Sequence, residues 1–145
     1  MNIFYLDKSA VISAQYMCDK HVVKMILESA QLLCTAHHLC PTDAVRPEKF
    51  YKKTHYNHPS AVWARASADN YLWLTAHAKA LLSEYTYRYD KQHASTSVIM
   101  WCSANIPDIP NGKLTVIAYR NYYNGAKSHL HNWKRRQAPD WITTI

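Results

Sequence analysis

Only two glycines, Gly112 and Gly125, occur in this chain of 145 residues. A fold built from hairpins and tight turns needs many residues with positive φ, and glycine adopts that conformation at the least cost. Two glycines cannot supply the turns of an all-β domain of this length. The sequence therefore predicts an all-α fold, a single compact domain over residues 1–145 with three long helices and additional short ones.

Apolar residues recur at three- and four-residue steps in three stretches, which is typical of helices that face a core. The long helices are predicted over Ser9–Leu39, with room for a break or kink between Tyr16 and Asp19, over His58–Tyr89, and over Leu114–Asn132. A shorter helix is predicted over Ala94–Ser103. Residues 41–57 and 105–112 are rich in proline and asparagine and are expected to connect the helices.

The charge balance indicates an anionic partner. Seventeen Lys and Arg residues stand against ten Asp and Glu residues, for a formal net charge of +7. Eleven Tyr and five Trp residues add flat faces on which bases can stack. We expect DNA or a small anionic nucleotide as the partner. The run Lys134-Arg135-Arg136 between Trp133 and Trp141 is either a phosphate-facing patch or an ordinary solvated terminus.

Four cysteines without a CxxC pair, and a charged start without a signal peptide, favour a cytoplasmic protein with reduced thiols. The sequence contains no run of 18 apolar residues, so no membrane-spanning helix is predicted. A zinc site would need Cys34, Cys40 and an intervening histidine, but the spacing is not a standard one and no fourth ligand is evident. We expect no metal and no cofactor. Exposed aromatic side chains are compatible with a homo-oligomer.

One face of the first long helix carries a polar stripe, with offsets that place its members within reach of a common ligand. The stripe consists of His21, Lys24, Glu28, Gln31, Thr35 and His38. Lys20 lies four residues before Lys24 and joins it as a candidate contact for an anion. A mixture of base, acid and amide is more than solubility requires, although stripes of this kind are often merely exposed.

A second polar cluster opens the predicted second helix. His55 and His58 stand at the junction between loop and helix, and Arg65 and Asn70 follow. Free N–H groups and the dipole make a helix N-terminus a natural phosphate site, and histidine can move protons near neutral pH. The alternative is that both histidines cap or pack the helix. We expect this cluster to face the Glu28 stripe across a cleft.

The segment DKHVVKMILE contains Asp19, His21 and Glu28 in the pattern D-x-H-x6-E. In this pattern the chain resembles the phage endonuclease V-like pyrimidine-dimer DNA glycosylases. The resemblance implies an all-helical fold and a DNA glycosylase/AP-lyase activity with Glu28 as the catalytic acid. It also implies that His21 positions a phosphate or Glu28, and that the nucleophile is the α-amine of the chain.

Two positions depart from the family pattern. The family's nucleophile is a threonine amine exposed when the initiator Met is removed, whereas Asn2 follows Met1 here and such a Met is usually kept. Met1 and Asn2 are therefore the candidate nucleophile positions. The family also carries arginines directly before and three residues after the glutamate, and the matching positions here are Leu27 and Gln31.

Two other functions remain open at this level. A phage-type nucleotide-binding protein on the same helical scaffold could sequester or cleave a small nucleotide, cyclic or not, that serves as an immune signal. A DNA-binding module without catalysis would satisfy the net charge alone.

Overall fold

The structure is a computed structural model that describes residues 2–117 and 119–143, and all regular secondary structure in these ranges is helical. The helices are α1 (Ala10–Tyr16), α2 (Asp19–Leu39), α3 (Pro59–Ala64), α4 (Ala68–Tyr89), α5 (Thr96–Ala104) and α6 (Arg120–Gly125), followed by a 3₁₀ turn over Ser128–Leu130. The two longest helices, α2 and α4, pack against each other, and α1, α3 and α5 pack around them. The predicted all-α fold is confirmed.

The break between α1 and α2 falls within the predicted interval. A buried arginine from α4 stabilises this break. Met17 and Cys18 are extended, so the last carbonyls of α1 lack helical partners. Arg88 donates to the carbonyls of Gln15 and Met17 at 3.0 and 2.8 Å and pairs with Asp19 at 3.1 Å. One fully buried guanidinium thus caps the end of α1 and holds the start of α2.

The prediction of one continuous helix over His58–Tyr89 is wrong, because the structure has two helices there, α3 and α4, with a break between them. The helix stops at Arg65 and restarts after Ser67, whose hydroxyl accepts from the Asn70 N–H at 3.2 Å. The Asn70 amide donates to the carbonyl of Trp63 at 3.0 Å and accepts from the Thr115 N–H at 2.9 Å. These bonds replace the intrahelical bonds that a continuous helix would make across the break.

The third long helix, predicted over Leu114–Asn132, is also wrong. Only α6 and the 3₁₀ turn are helical there, and the residues from Leu114 to Ile117 are not. Thr115 is held between α3 and α4, since its N–H bonds Asn70 and its carbonyl accepts from the Trp63 indole at 3.0 Å. Its backbone groups are therefore committed to neighbours rather than to a helix. Ala118 and residues 144–145 lie outside the described residues.

Candidate active site at the amino-terminal segment

Glu28 contacts the first residues of the chain. The backbone N–H of Asn2 donates to Glu28 Oε1 at 3.2 Å, and Lys24 Nζ lies 3.8 Å from Glu28 Oε2 one helical turn away. The Glu28 side chain is only 12% exposed, whereas that of Lys24 is 73% exposed. The carboxylate is thus held beside the amino-terminal segment in a largely desolvated position. Met1 lies outside the described residues.

The amino-terminal segment reaches Glu28 because its next residues are buried. The Phe4 ring stacks on the His21 ring with centroids 4.5 Å apart, and Phe4 is 1% exposed. The Ser13 hydroxyl donates to the Phe4 carbonyl at 3.0 Å and accepts from the Leu6 N–H at 2.9 Å. Residues 21 and 28 lie on one face of α2, since seven residues make about two turns. The segment therefore runs antiparallel to α2, with Phe4 at His21 and Asn2 at Glu28.

His21 is buried rather than solvent-facing. The Tyr123 hydroxyl accepts from the Cys18 N–H at 2.6 Å and lies 2.8 Å from His21 Nδ1. The hydroxyl can donate its own hydrogen to Nδ1 or accept a second one from it, so this bond forms with either tautomer of the neutral imidazole. Burial, and then the charges of Lys127 and Lys24, lower the pKa of His21 from 6.5 to about 4. A neutral His21 supports Phe4, and through it the segment at Glu28.

Acidification is expected to lower the free energy of unfolding. Burial lowers the pKa of His21, His37 and His77 from 6.5 to about 4 in the folded protein. Between pH 6.5 and 4 the unfolded chain binds more protons, so stability falls as pH falls, by about 2 kcal/mol at pH 5 for each histidine. Urea unfolding at pH 7, 6 and 5 measures the trend, and His21→Gln should show less of it. Stability that is unchanged from pH 7 to pH 5 would contradict this assignment.

A second segment meets α2 on the far side of Glu28. Thr35 and Thr54 exchange two hydrogen bonds, from the Thr35 hydroxyl to the Thr54 carbonyl at 3.3 Å and from the Thr54 N–H to the Thr35 hydroxyl at 3.2 Å. His55 follows with a positive φ of 46°, and its Nδ1 lies 2.8 Å from the Thr54 hydroxyl. The amino-terminal segment and the residues after 53 therefore border the Glu28 site from its two ends.

His58 serves as the cap of α3, as one of the two sequence interpretations expected. Its Nδ1 accepts from the Ser60 N–H at 3.1 Å, which leaves the neutral ring with its proton on Nε2. Burial lowers the pKa of His58, and the negative charge of Glu28 acts in the opposite direction. His58 and Glu28 therefore influence each other electrostatically, so the loop cluster and the α2 stripe belong to one region.

The remaining candidate residues of the two clusters are placed differently. Lys20 and Lys24 are exposed on α2, and Gln31 is half-buried two turns farther along. Arg65 is half-buried at the end of α3, with its Nη1 atom buried and without a hydrogen-bond partner. Asn70 is fully buried, and its amide groups bond within the protein. The structure therefore does not bring Asn70 to the surface beside Glu28.

Each of the three basic residues of the carboxy-terminal run contacts another residue of the same chain. Arg136 pairs with Glu84 at 2.7 Å, and Arg135 pairs with Asp90 at 3.3 Å. The Lys134 N–H donates to Asp19 Oδ1 at 2.8 Å, and its ammonium lies 5.1 Å from the centroid of the Tyr89 ring. Arg88 also pairs with Glu84, at 2.8 Å. The run thus joins the tail to α4 and the start of α2, a role that its composition did not reveal.

No group of three potential metal ligands occurs within residues 2–117 and 119–143. The four cysteines are free thiols, and Cys34 and Cys102 are fully buried. In the same part of the chain, no helix is both long and apolar enough to cross a membrane.

Tyr123, Phe4 and Arg88 support the site, and sequence analysis singled out none of them. Tyr123 bonds His21 across 102 residues, and Arg88 reaches Asp19 across 69. Neither pairing leaves a local pattern. A better signal was the apolar run Ile3–Leu6 directly at the start of the chain, since a terminus of that composition is seldom left in solvent.

In this site, a helix carboxylate is held against the chain's own amino-terminal segment. A site of this class can pair a terminal amine with a general acid or base. The sequence model of the family described as pyrimidine dimer DNA glycosylase matches residues 1–97. The match covers more than half of the chain, and the chain belongs to this family. The predicted resemblance is thereby confirmed, and the family suggests DNA glycosylase activity on pyrimidine dimers, with DNA as the substrate.

No curated protein and no solved structure gives a significant match. The matched residues include the amino-terminal segment and α1 to α4, which carry Glu28, His21 and Arg88. Tyr123 and the carboxy-terminal run lie beyond the matched range.

Proposed function

We propose that the protein is a DNA glycosylase with AP-lyase activity, which acts on damaged pyrimidines in duplex DNA through its terminal amine and Glu28. The observation that carries this proposal is the 3.2 Å contact between the Asn2 nitrogen and Glu28 Oε1. If Met1 is removed, that nitrogen is the terminal amine itself. If Met1 is kept, the amine is one residue away, and consecutive Cα atoms are only about 3.8 Å apart.

The chemistry follows from placing an amine beside a carboxylate. The neutral amine attacks C1′ of the damaged nucleotide, the glycosidic bond breaks, and the sugar opens to a Schiff base. Glu28 stabilises the positive charge that develops on the sugar, takes the proton that the attacking amine loses and passes it to O4′ as the ring opens, while the departing base takes a proton from water. Loss of the C2′ proton to the carboxylate then permits β-elimination of the 3′ phosphate. Partial burial strengthens each of these electrostatic effects.

The surroundings of the site suit a polyanion. Lys24 and Lys127 both lower the pKa of His21, and Lys24 Nζ also lies 3.8 Å from Glu28 Oε2, so positive charge borders both His21 and Glu28. Lys127 also lies 5.5 Å from the centroid of the half-exposed Tyr122 ring. Lysines beside an exposed ring can contact phosphate and base together.

Borohydride trapping tests the proposal. The protein is incubated with an ultraviolet-irradiated duplex, and sodium borohydride reduces any Schiff base to a stable covalent complex. We expect a trapped protein–DNA species and strand incision with the irradiated duplex, and neither with the unirradiated one. Protein whose terminal amine has been acetylated is the control and should give no trapped species. Absence of a trapped species with the unmodified protein would overturn the proposal.

The same preparation separates the two other functions. Thermal stabilisation by micromolar mononucleotides or cyclic dinucleotides, with none by duplex, would support sequestration or cleavage of a small nucleotide. Salt-sensitive binding to any duplex, without trapping and unchanged in Glu28→Gln, would support a DNA-binding module.

A further inference from the structure

A pocket of about 630 Å³ lies beside the amino-terminal segment. This volume is within the range of about 300–1,000 Å³ that is usual for small-molecule sites. Most of its wall is apolar or aromatic and consists of Leu6, Val116, Ile117 and Tyr119, and its polar side begins at Tyr5. We call it the Tyr5 pocket. Its composition, an apolar wall with a few polar groups, is that of a ligand site.

The Tyr5 pocket is separate from the Glu28 site. Neither Glu28 nor His21 lines it. The segment contacts Glu28 through Asn2, and it enters the pocket only from Tyr5 onward. The other part of the wall, from Val116 on, lies beyond residues 1–97, which the family model matches. The pocket is therefore not explained by the reaction at Glu28.

The polar side of the Tyr5 pocket contains a buried hydroxyl group without a hydrogen-bond partner. Tyr5 is 4% exposed, and its ring stacks on the Trp73 ring with centroids 4.4 Å apart. Its hydroxyl oxygen is buried and bonds no group within residues 2–117 and 119–143. Burial, and then the negative charge of Asp7, raise the pKa of Tyr5, so the hydroxyl keeps its proton and lies near Asp7, which also lines the pocket. A buried hydroxyl normally has a partner, and a ligand in the pocket would supply one.

The charged groups of the pocket favour an anion. The carboxylate of Asp7 accepts from the Ser9 N–H at 2.8 Å and pairs with Arg120 at 3.2 Å, and Arg120 also donates to the Leu6 carbonyl at 2.6 Å. Lys8 is exposed, and in the part of the chain that the structure describes its ammonium makes no ion pair and no hydrogen bond. The lining therefore has two cations against one carboxylate, and the cation of Lys8 is unpaired.

We propose that the Tyr5 pocket binds a free small molecule that consists of a planar heteroaromatic ring and one anionic group. The ring lies along Tyr119 and the aliphatic wall, since flat apolar groups pack well on such surfaces. A polar atom of the ring bonds the Tyr5 hydroxyl, and the anionic group pairs with Lys8. A duplex is far larger than this pocket, so the ligand is not DNA itself. The proposal goes beyond the reaction at Glu28 and does not depend on it.

Isothermal titration calorimetry with two probes tests the proposal without any catalysis. Adenosine 5′-monophosphate carries its anion as a phosphate, and nicotinate carries it as a carboxylate. We expect saturable one-to-one binding of at least one probe at concentrations up to about 1 mM. The probe that binds more tightly identifies the kind of anion. The neutral counterparts, adenosine and nicotinamide, should bind at least about tenfold more weakly, because they leave Lys8 unpaired.

Two variants locate the bound probe. Tyr5→Phe removes only the unpartnered hydroxyl, and it should weaken probe binding by about three- to tenfold. Its urea midpoint without ligand should be unchanged or higher, because no bond is lost and an unpaired buried group is removed. Lys8→Gln should weaken probe binding by about tenfold. Lys91→Gln is the matched control, since Lys91 is exposed after α4, outside the pocket, and its removal makes the same change in net charge without affecting the probe.

Three results would overturn the proposal. The first is that neither probe binds at up to about 1 mM. The second is that a probe binds, but Tyr5→Phe and Lys8→Gln bind it as tightly as the wild type, which would place it elsewhere. The third is that a duplex displaces the probe and Tyr5→Phe weakens duplex binding, because the pocket would then belong to the DNA interface.

Discussion

Glu28→Gln is expected to slow formation of the trapped complex by about 10²–10⁴-fold, the usual contribution of a positioned general acid or base. The amide keeps the shape of the side chain and can still accept from the Asn2 N–H. It cannot take a proton, and it carries no charge to stabilise the developing cation. Single-turnover trapping at saturating protein measures the chemical step apart from DNA binding.

Glu48→Gln is the matched control for this variant. Glu48 is exposed in the loop before α3, and the substitution makes the same change in net charge. Both variants should bind duplex at least as tightly as the wild type, since each removes one negative charge. A Glu28→Gln protein that forms the trapped complex at the rate of Glu48→Gln would remove Glu28 from the chemistry.

Arg88→Met is expected to destabilise the fold by about 3–5 kcal/mol, the usual cost of removing one partner from a buried ion pair. Arg88 is fully buried and bonds two carboxylates and two backbone carbonyls. Methionine fills similar space, so the effect reports lost polar partners rather than a cavity. Asp19 loses its cation, whereas Glu84 keeps Arg136. Since a domain of this size has about 5–15 kcal/mol of stability, the loss is a large fraction of it.

Urea unfolding of Arg88→Met beside Arg135→Met measures this effect. The Arg135–Asp90 pair is exposed, so its removal should cost no more than about 1 kcal/mol. Adding Asp19→Asn to Arg88→Met should recover part of the loss, because the uncompensated buried charge is then gone. A loss below about 1 kcal/mol for Arg88→Met would show that the network contributes little to stability.

The features that the sequence predicted correctly are local. The apolar spacing that predicted α2 lies within one helix, and so does the predicted end at Leu39; the structure confirms both. The D-x-H-x6-E pattern predicted the family for the same reason, since its three residues lie within three turns.

The features that sequence analysis missed depend on contacts between distant residues. Residues 114–119 have a helical apolar pattern, but Thr115 is bound to Asn70 and Trp63, and such a pairing cannot be read from the pattern itself. His21 has the spacing of a surface stripe, and yet it is buried because Phe4 and Tyr123 cover it. Helical spacing predicts which residues share a face, but not what covers that face.

Identifying the nucleophile is the most direct test of the proposed pairing between the terminal amine and Glu28. After borohydride reduction, nuclease digestion leaves a nucleotide remnant on the protein, and proteolysis with mass spectrometry locates it. We predict that the remnant is on the α-nitrogen of the first residue of the mature chain, Met1 or Asn2, within the segment that contacts Glu28. A remnant on a lysine side chain such as Lys24 would contradict the pairing of terminal amine and carboxylate.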